Sequence, residues 1–466
     1  MRIPILNGIF ADGSSDFRSS YPRNLIPVPK QVGISEGYLR PAYGISQFGT
    51  GPGHDRGAIN WDNQCYRVMG TKLCRVESDG SVSVLGDVGG SGQVTLDYSF
   101  DRLAIASSGM LFFWDGISIT QVTDPDLGVV NDFLWIDGYF LSTDGESLVV
   151  TELNDPTAVN PLKYGSAEAN PDPVVSLVKL RNEAYAIGRY TIEVFQNAGG
   201  AGFPFARIDG AQMQRGAVGT FAASVFMEAI AFVGGGVNEP PAVWLGGGGQ
   251  TQKISTREIE QVLATYSSSQ LAQIVVESMS YAGHQFLYVH LPDCTWVYDG
   301  AGTLAAEEPV WFQLTSSIVG KSKYRARNFV WCYDKWLVGD PTTFKHGYMT
   351  GDVASHYGDV IGWEFATSIV YNEGRGAIFH ELELVSLTGN VTLGEDPTIW
   401  ASYSLDGQTW SQERPRSAGK IGERQKRIVW LRQGNMRSFR MQKFRGTSDA
   451  HMSIARLEAR VEPLNV

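Results

Sequence analysis

Cysteine is scarce. There are four in 466 residues (Cys65, Cys74, Cys294 and Cys332), and none lies in a Cys-x-x-Cys pair. This excludes the common zinc modules and a disulfide-built scaffold, because a chain of this length buries a core without cross-links. Cys65 and Cys74 bracket an apparent hairpin and could face each other; reduced thiols are the expectation, and they suit assembly in a reducing cytoplasm. Long apolar runs are also missing. The longest, Thr220 to Val237, carries Glu228 near its middle and Gly234–Gly236 near its end. A charge near a bilayer centre costs about 2.5–3.5 kcal/mol, so two consecutive strands fit better than a membrane span. The opening Met1-Arg2-Ile3-Pro4-Ile5-Leu6 turns polar too soon for a signal peptide. Charged residues make up only 19% against 43% hydrophobic, which argues against global disorder.

Catalytic and cofactor motifs are lacking as well. None of the seven histidines belongs to an His-Glu-x-x-His motif. His284 and His290 share one face of a predicted strand, roughly 20 Å apart at about 3.3 Å per residue, too far for one metal. The glycine runs Gly234–Gly236 and Gly246–Gly249 lack the Gly-Lys-Ser/Thr and strand-to-helix setting of a phosphate loop, and read as flexible loops. Ser404–Trp410 is similar to the Asp-box of sialidase propellers but lacks the residue between Asp and Gly; that box is a structural turn in any case. No Gly-x-Ser-x-Gly elbow occurs. No metal, cofactor or catalytic residue is assigned, and the expectation is a protein that is not an enzyme.

Glycine (53 residues), 12 tryptophans and 19 tyrosines are abundant, a pairing typical of short strands joined by tight turns. Apolar runs end repeatedly in Asp-Gly or Gly-Asp: Leu111–Gly116, Phe133–Gly138, Trp296–Gly300 and Trp336–Asp340. Asp-Gly supplies the positive φ of hairpin turns. Strand pairs centre near Tyr66, Ile105, Phe140, Ile187, Phe232, Tyr288 and Trp331. A spacing of roughly 40–50 residues of pure β is the signature of a propeller, here of six or seven blades. One helical insertion is predicted near 255–276: Ser255 as N-cap with Glu258 at N3, then Ile259, Val262, Leu263 and Tyr266 at helical spacing. A second short helix is placed at Gln270–Val275. The chain thus divides into an extended N-terminal arm (1–55), a β-propeller (56–352) and a C-terminal antiparallel, sandwich-like β domain (353–466), all-β overall. The alternative for the first segment is a strand that closes the ring.

Charge is uneven. Residues 411–466 hold 13 Lys+Arg against 5 Asp+Glu, a net of +8, whereas residues 1–410 hold 25 against 44, a net of −19. The basic face comprises Arg414, Arg416, Lys420, Arg424, Lys426, Arg427, Arg432, Arg437 and Arg440, interleaved with aromatics. Such a face can neutralise phosphates or dock an acidic protein ring. Of the two, the protein interface is favoured.

Several stretches, in order along the chain, carry a resemblance. They are Ser35-Glu36-Gly37-Tyr38-Leu39-Arg40 with Gly44-Ile45, Tyr66–Leu73, Gly86–Gly92, Gln214–Thr220, Ser280–His284 through Leu291-Pro292 to Val297–Asp299, and Ser404–Trp410 with Gly422-Glu423, Arg427, Trp430 and Arg437. Together they are similar to the tail hub (nozzle) family of short-tailed bacteriophages, also called packaged DNA stabilisation proteins. The resemblance implies a homo-hexameric ring beneath portal and adaptor, in a virion tail assembled in the host bacterial cytoplasm. It implies retention of packaged DNA and a channel for its ejection. The implied neighbours are the adaptor, a needle or plug protein, tailspikes or tail fibres, and passing double-stranded DNA bound without sequence specificity. No catalytic residues come with it. The competing expectation is a carbohydrate-binding or carbohydrate-degrading phage propeller, with a deep central pocket and two close carboxylates.

Overall fold

The computed structural model describes residues 1–11, 16–30, 37–153, 155–167, 171–391 and 394–464. Ser35 and Glu36 of the segment singled out above lie outside them. Seven antiparallel sheets, five of four strands and two of five, are built on residues 55–87, 95–121, 132–166, 174–207, 216–253, 275–314 and 327–350, the last completed by Gly44–Thr50. Their first strands neighbour one another in sequence order, and the seventh returns to the first, so the ring is closed. Six of the seven centres read from the sequence fall on the second strand of a blade; Trp331 falls on a first strand. The turns follow the sequence chemistry. At Asp137-Gly138 both residues have positive φ, 50° and 91°, as a two-residue hairpin requires. Thr220–Val237 yields two strands, Ala223–Phe226 and Ala229–Gly235, with Met227 and Glu228 at the turn.

The first 55 residues are not a free arm. Gly44–Thr50 is the outer strand of blade seven, paired with Lys345–Thr350, and so fastens the ring. Arg2–Ile3, Leu25–Pro29 and Gly37–Pro41 instead join the sandwich. One sandwich sheet runs from Leu25–Pro29 through Gly37–Pro41, Ile454–Pro463 and Ala377–Ser386 to Ile428–Leu431. The other runs from Gly362–Ala366 through Phe439–Thr447 and Thr398–Ser404 to Arg414–Ser417. Ile3, Ile5, Leu25 and Leu39 are buried with Trp363, Phe379, Trp430 and Phe444 in the core between them. Alternation along the strands supplies these inward faces.

Propeller and sandwich are joined by backbone. Pro22 O accepts from Gln313 N, and Gln313 O accepts from Asn24 N, on the outer strand of blade six; Arg23 exchanges two hydrogen bonds with Glu364 on the sandwich. Buried Asn24 completes the seam. Its Nδ2 donates to Thr315 O (3.0 Å) and Gly362 O (2.7 Å), and its Oδ1 accepts from Thr315 N (3.0 Å).

Among the described residues three short α-helices interrupt the strands: α1 (Arg257–Leu263), α2 (Ser268–Leu271) and α3 (Gly300–Ala306). Thr256, not Ser255, is the N-cap of α1, and its side chain makes no capping bond. Ser255 is used elsewhere: its hydroxyl accepts from Val243 N and donates to Glu260. Glu258 accepts from Ser19 N and Tyr21 rather than closing a capping box. The capping box belongs to α2, between Ser267 and Gln270; α2 covers Gln270 and Leu271 of the expected Gln270–Val275, and Val275 already begins a strand. Asp299-Gly300 is not a hairpin turn. Asp299 N-caps α3 through Gly302 N (3.1 Å) while its other oxygen holds His284 Nδ1 (2.6 Å). Gly234 and Gly246 lie within strands, not flexible loops: a Cβ at Gly234 would strike Gly216 O, and one at Gly246 would meet the Met213 sulfur. Cys65 faces Val76 across its strand pair and Cys74 faces Arg67, so the two thiols are not opposed. All four cysteines are free and buried.

Candidate interaction surfaces

The strands Arg414–Ser417 and Ile428–Leu431 are the last strands of the two sandwich sheets, and both lie at the edge far from the propeller. They meet there. Trp430 Nε1 donates to Arg414 O (2.8 Å), Arg416 Nε to Val429 O (2.7 Å) and Arg414 to Arg432 O (2.8 Å). Arginine side chains thereby satisfy carbonyls that a bare sheet edge would leave open. Arg414, Arg416, Lys420, Arg424, Arg432 and Arg437 are exposed along this edge.

Three residues assigned to the basic face are committed to the fold. Arg427 is exposed but held by Glu383 (2.7 Å) and Glu381 (3.1 Å). Lys426 pairs with Glu423 (3.1 Å). Arg440 is buried, so it cannot present to a partner. Its guanidinium lies 3.8 Å from the Tyr403 ring centroid and 4.4 Å from that of Phe379, and it donates to Gln433 O (2.7 Å). Burial lowers its pKa to about 10. Its place inward on Phe439–Thr447 follows from strand alternation, which a tally of basic residues ignores.

The propeller axis holds a small cavity. About 240 Å³ in volume, it is lined by the first strands, among them Ala58, Leu96, Asp132, Leu177, Ala223, Val276 and Phe329, one from each blade. Its two carboxylates are already occupied. Asp132 accepts from Thr95, Ser176, Leu177 N and Phe133 N, yet burial pushes its carboxyl up to about 6. Glu277 accepts from Asn328 N (2.8 Å) and meets His290 Nε2 (3.1 Å). His284 and His290 stack on Phe286 and Tyr288 within one strand, each with its own carboxylate, and share no ligand position.

A second surface lay unnoticed in the sequence. Residues 95–166, covering blades two and three, hold 11 Asp+Glu against only Arg102 and Lys163, a net of −9. A local charge count over one or two blades would have found it. Between these blades lies an open cavity of about 530 Å³ lined by Phe100, Asp101, Trp135, Asp137, Gly138 and Pro156. Phe100 is 94% exposed, and its ring stands edge-on to Trp135 at 5.4 Å.

Fold and surfaces together define a class: a closed seven-bladed β-propeller rigidly carrying a β-sandwich, with an acidic and a basic pole. The chain belongs to the Bacteriophage P22 Gp10 family, whose β-propeller matches residues 1–354 and whose β-sandwich matches residues 362–462. A curated relative, the tail hub protein gp10 of Salmonella phage P22, is 27% identical over 483 residues, covering 99% of each chain. Solved structures of similar fold include the WD40 domain of Neurospora crassa Pan2, 10% identical, TM-score 0.44, over 66% of this chain and 95% of that one. The N-terminal domain of Nup159 is 8% identical with a TM-score of 0.42, over 69% and 97%.

Proposed function

We propose that this chain is the tail hub of a short-tailed phage, forming a hexameric ring below the adaptor that retains packaged DNA and gives it an exit. The observation that carries this is the end-to-end match, propeller then sandwich, to a protein named as a tail hub. The role is architectural rather than enzymatic. In support, the axial carboxylates are occupied by protein donors, unlike the free pair a glycosidase needs. DNA passes between protomers, since the cavity on each propeller axis, about 240 Å³, is too small for a duplex. An acidic wall repels the phosphates and keeps DNA mobile, while the needle or plug closes the exit. Adaptor and tailspikes or fibres dock around the ring.

The test is the mass of the assembly released from purified virion tails. Six copies of the chain are expected, bound to the adaptor; a single copy per tail overturns the proposal. Lys420→Glu with Arg424→Glu and Arg437→Glu tests the basic edge in the same particles. Assembly should stop with the protomer still folded. Normal rings that leak DNA would mean that the edge grips DNA instead.

A further inference from the structure

The two charged surfaces each lie away from the seam that joins the domains, one in sandwich strand order and one in blade order. The sandwich is fastened to the outer strand of blade six, and its basic edge is the strand pair farthest from that attachment. The acidic surface lies over blades two and three, half-way round a seven-membered ring. Both poles also carry exposed apolar side chains. Phe100 and Leu153 project from turns on one face of blades two and three; Ile421 and Leu431 project from the basic edge. Each surface is therefore apolar with charge around it, and the charges are opposite in sign. Complementary but different surfaces make a heterologous, head-to-tail contact, which closes into a ring when its rotation divides a full turn and otherwise runs on as a filament; a two-fold contact would need one self-complementary surface.

We propose that the basic sandwich edge of one copy docks on the acidic, aromatic surface over blades two and three of the next copy, and that this contact repeats around the ring. The inference rests on the ring reading above. The occupant is a second copy because the chain itself carries the matching charge and apolar anchors on its other charged surface. Phe100 and Trp135 receive Ile421 or Leu431, while Asp101 and Asp137 face Lys420, Arg424 and Arg432. A contact of this kind weakens with salt, since exposed pairs are screened.

The test uses full-length chains assembled into tails. A surface variant carries Phe100→Ser and Asp101→Lys; an edge variant carries Lys420→Glu and Arg424→Glu. All four side chains are exposed, so the variants should melt like the parent. Each variant should form rings at least about tenfold less efficiently, because like charges now face each other. A chain carrying Asp101→Lys, Lys420→Glu and Arg424→Glu, with Phe100 kept, should recover them. Normal assembly by either single-surface variant, or no recovery in the swapped chain, overturns this interface while parental rings keep the ring reading intact. Parental tails without a ring of this chain overturn both.

Discussion

Replacing Asn24 removes three hydrogen bonds at once from the seam between blade six and the sandwich. Thr315 O, Gly362 O and Thr315 N would each lose a partner in a buried site. A buried polar group left unsatisfied costs about 1–3 kcal/mol, and partial entry of water lowers the total toward about 3–5 kcal/mol for the set. The backbone contributes separately. Asn24 has φ 53°, where a Cβ-bearing residue without a local hydrogen bond costs about 1–2 kcal/mol. Asn24→Gly should therefore be milder than Asn24→Ala by about 1 kcal/mol, the difference isolating the backbone share. Asn24→Asp keeps the acceptor for Thr315 N but turns lone pairs toward two carbonyls, so it should be no better than glycine. Urea unfolding of the full chain gives the overall loss. Hydrogen exchange locates it: amides of residues 23–24, 313–316 and 362–366 should exchange faster, with blades one to four unchanged. A change of less than about 0.5 kcal/mol in both Asn24→Gly and Asn24→Asp would show that water replaces the side chain and refute the reasoning.

Acid should weaken the fold through two histidines. Burial lowers His346 to about 4 and His356 to about 3, against 6.5 in an unfolded chain. The unfolded state then binds more protons, so stability falls as pH drops from about 6.5 toward 4, and each histidine costs about 1.4 kcal/mol for every pH step of one across that window. His356→Gln should flatten the melting temperature against pH over the same range; an unchanged slope would exonerate the ring. Arg440→Ala empties the space between Phe379 and Tyr403 and orphans Gln433 O, so the sandwich should lose about 2–4 kcal/mol in denaturant melts with ring surfaces unaltered. Burial pushes the Cys65 thiol up to about 11 and those of Cys74 and Cys294 to about 12. A thiol reagent at mildly alkaline pH should leave the native chain almost unlabelled and modify all four cysteines once it is unfolded.

The propeller was legible because its signals are local. Alternation and Asp-Gly turns are written within each blade, and the second strands, buried on both sides, gave the most regular centres. What escaped the sequence depends on partners far along the chain. Nothing near Gly44–Thr50 says that its partner is Lys345–Thr350, nor that Ile3 and Leu39 pack beside Trp430. Asp299-Gly300 has the letters of a turn, but Asp299 is fixed by His284 on a neighbouring strand and starts a helix. Ser255 has the letters of an N-cap, but its hydroxyl is taken by Val243 N. At the interaction surfaces, counting basic residues found the edge, yet only their placement separates Arg424, exposed in a turn, from Arg440, turned inward on a strand. The acidic pole is one contiguous stretch, 95–166, which a running charge count reveals and a comparison of only the two ends of the chain averages away.

The crossed ends give the architecture a consequence for assembly. Blade seven needs residues 44–50 together with 327–350, and the sandwich needs residues 2–41 together with 362–463. Both are long-range pairings, which form late because their loop-closure entropy must be met first. The propeller ring therefore cannot close before its seventh blade is made, and the sandwich cannot fill its core until both halves are present. The basic edge lies at the outer limit of that sandwich, so it is held in place only when every earlier step has succeeded. The Pro22–Asn24 seam then ties edge and acidic surface into one body, fixing the angle between them. In a head-to-tail contact that angle decides how many copies close a ring. In the proposed ring, the seam that stabilises the protomer therefore sets the geometry of the assembly, and incompletely folded chains lack it.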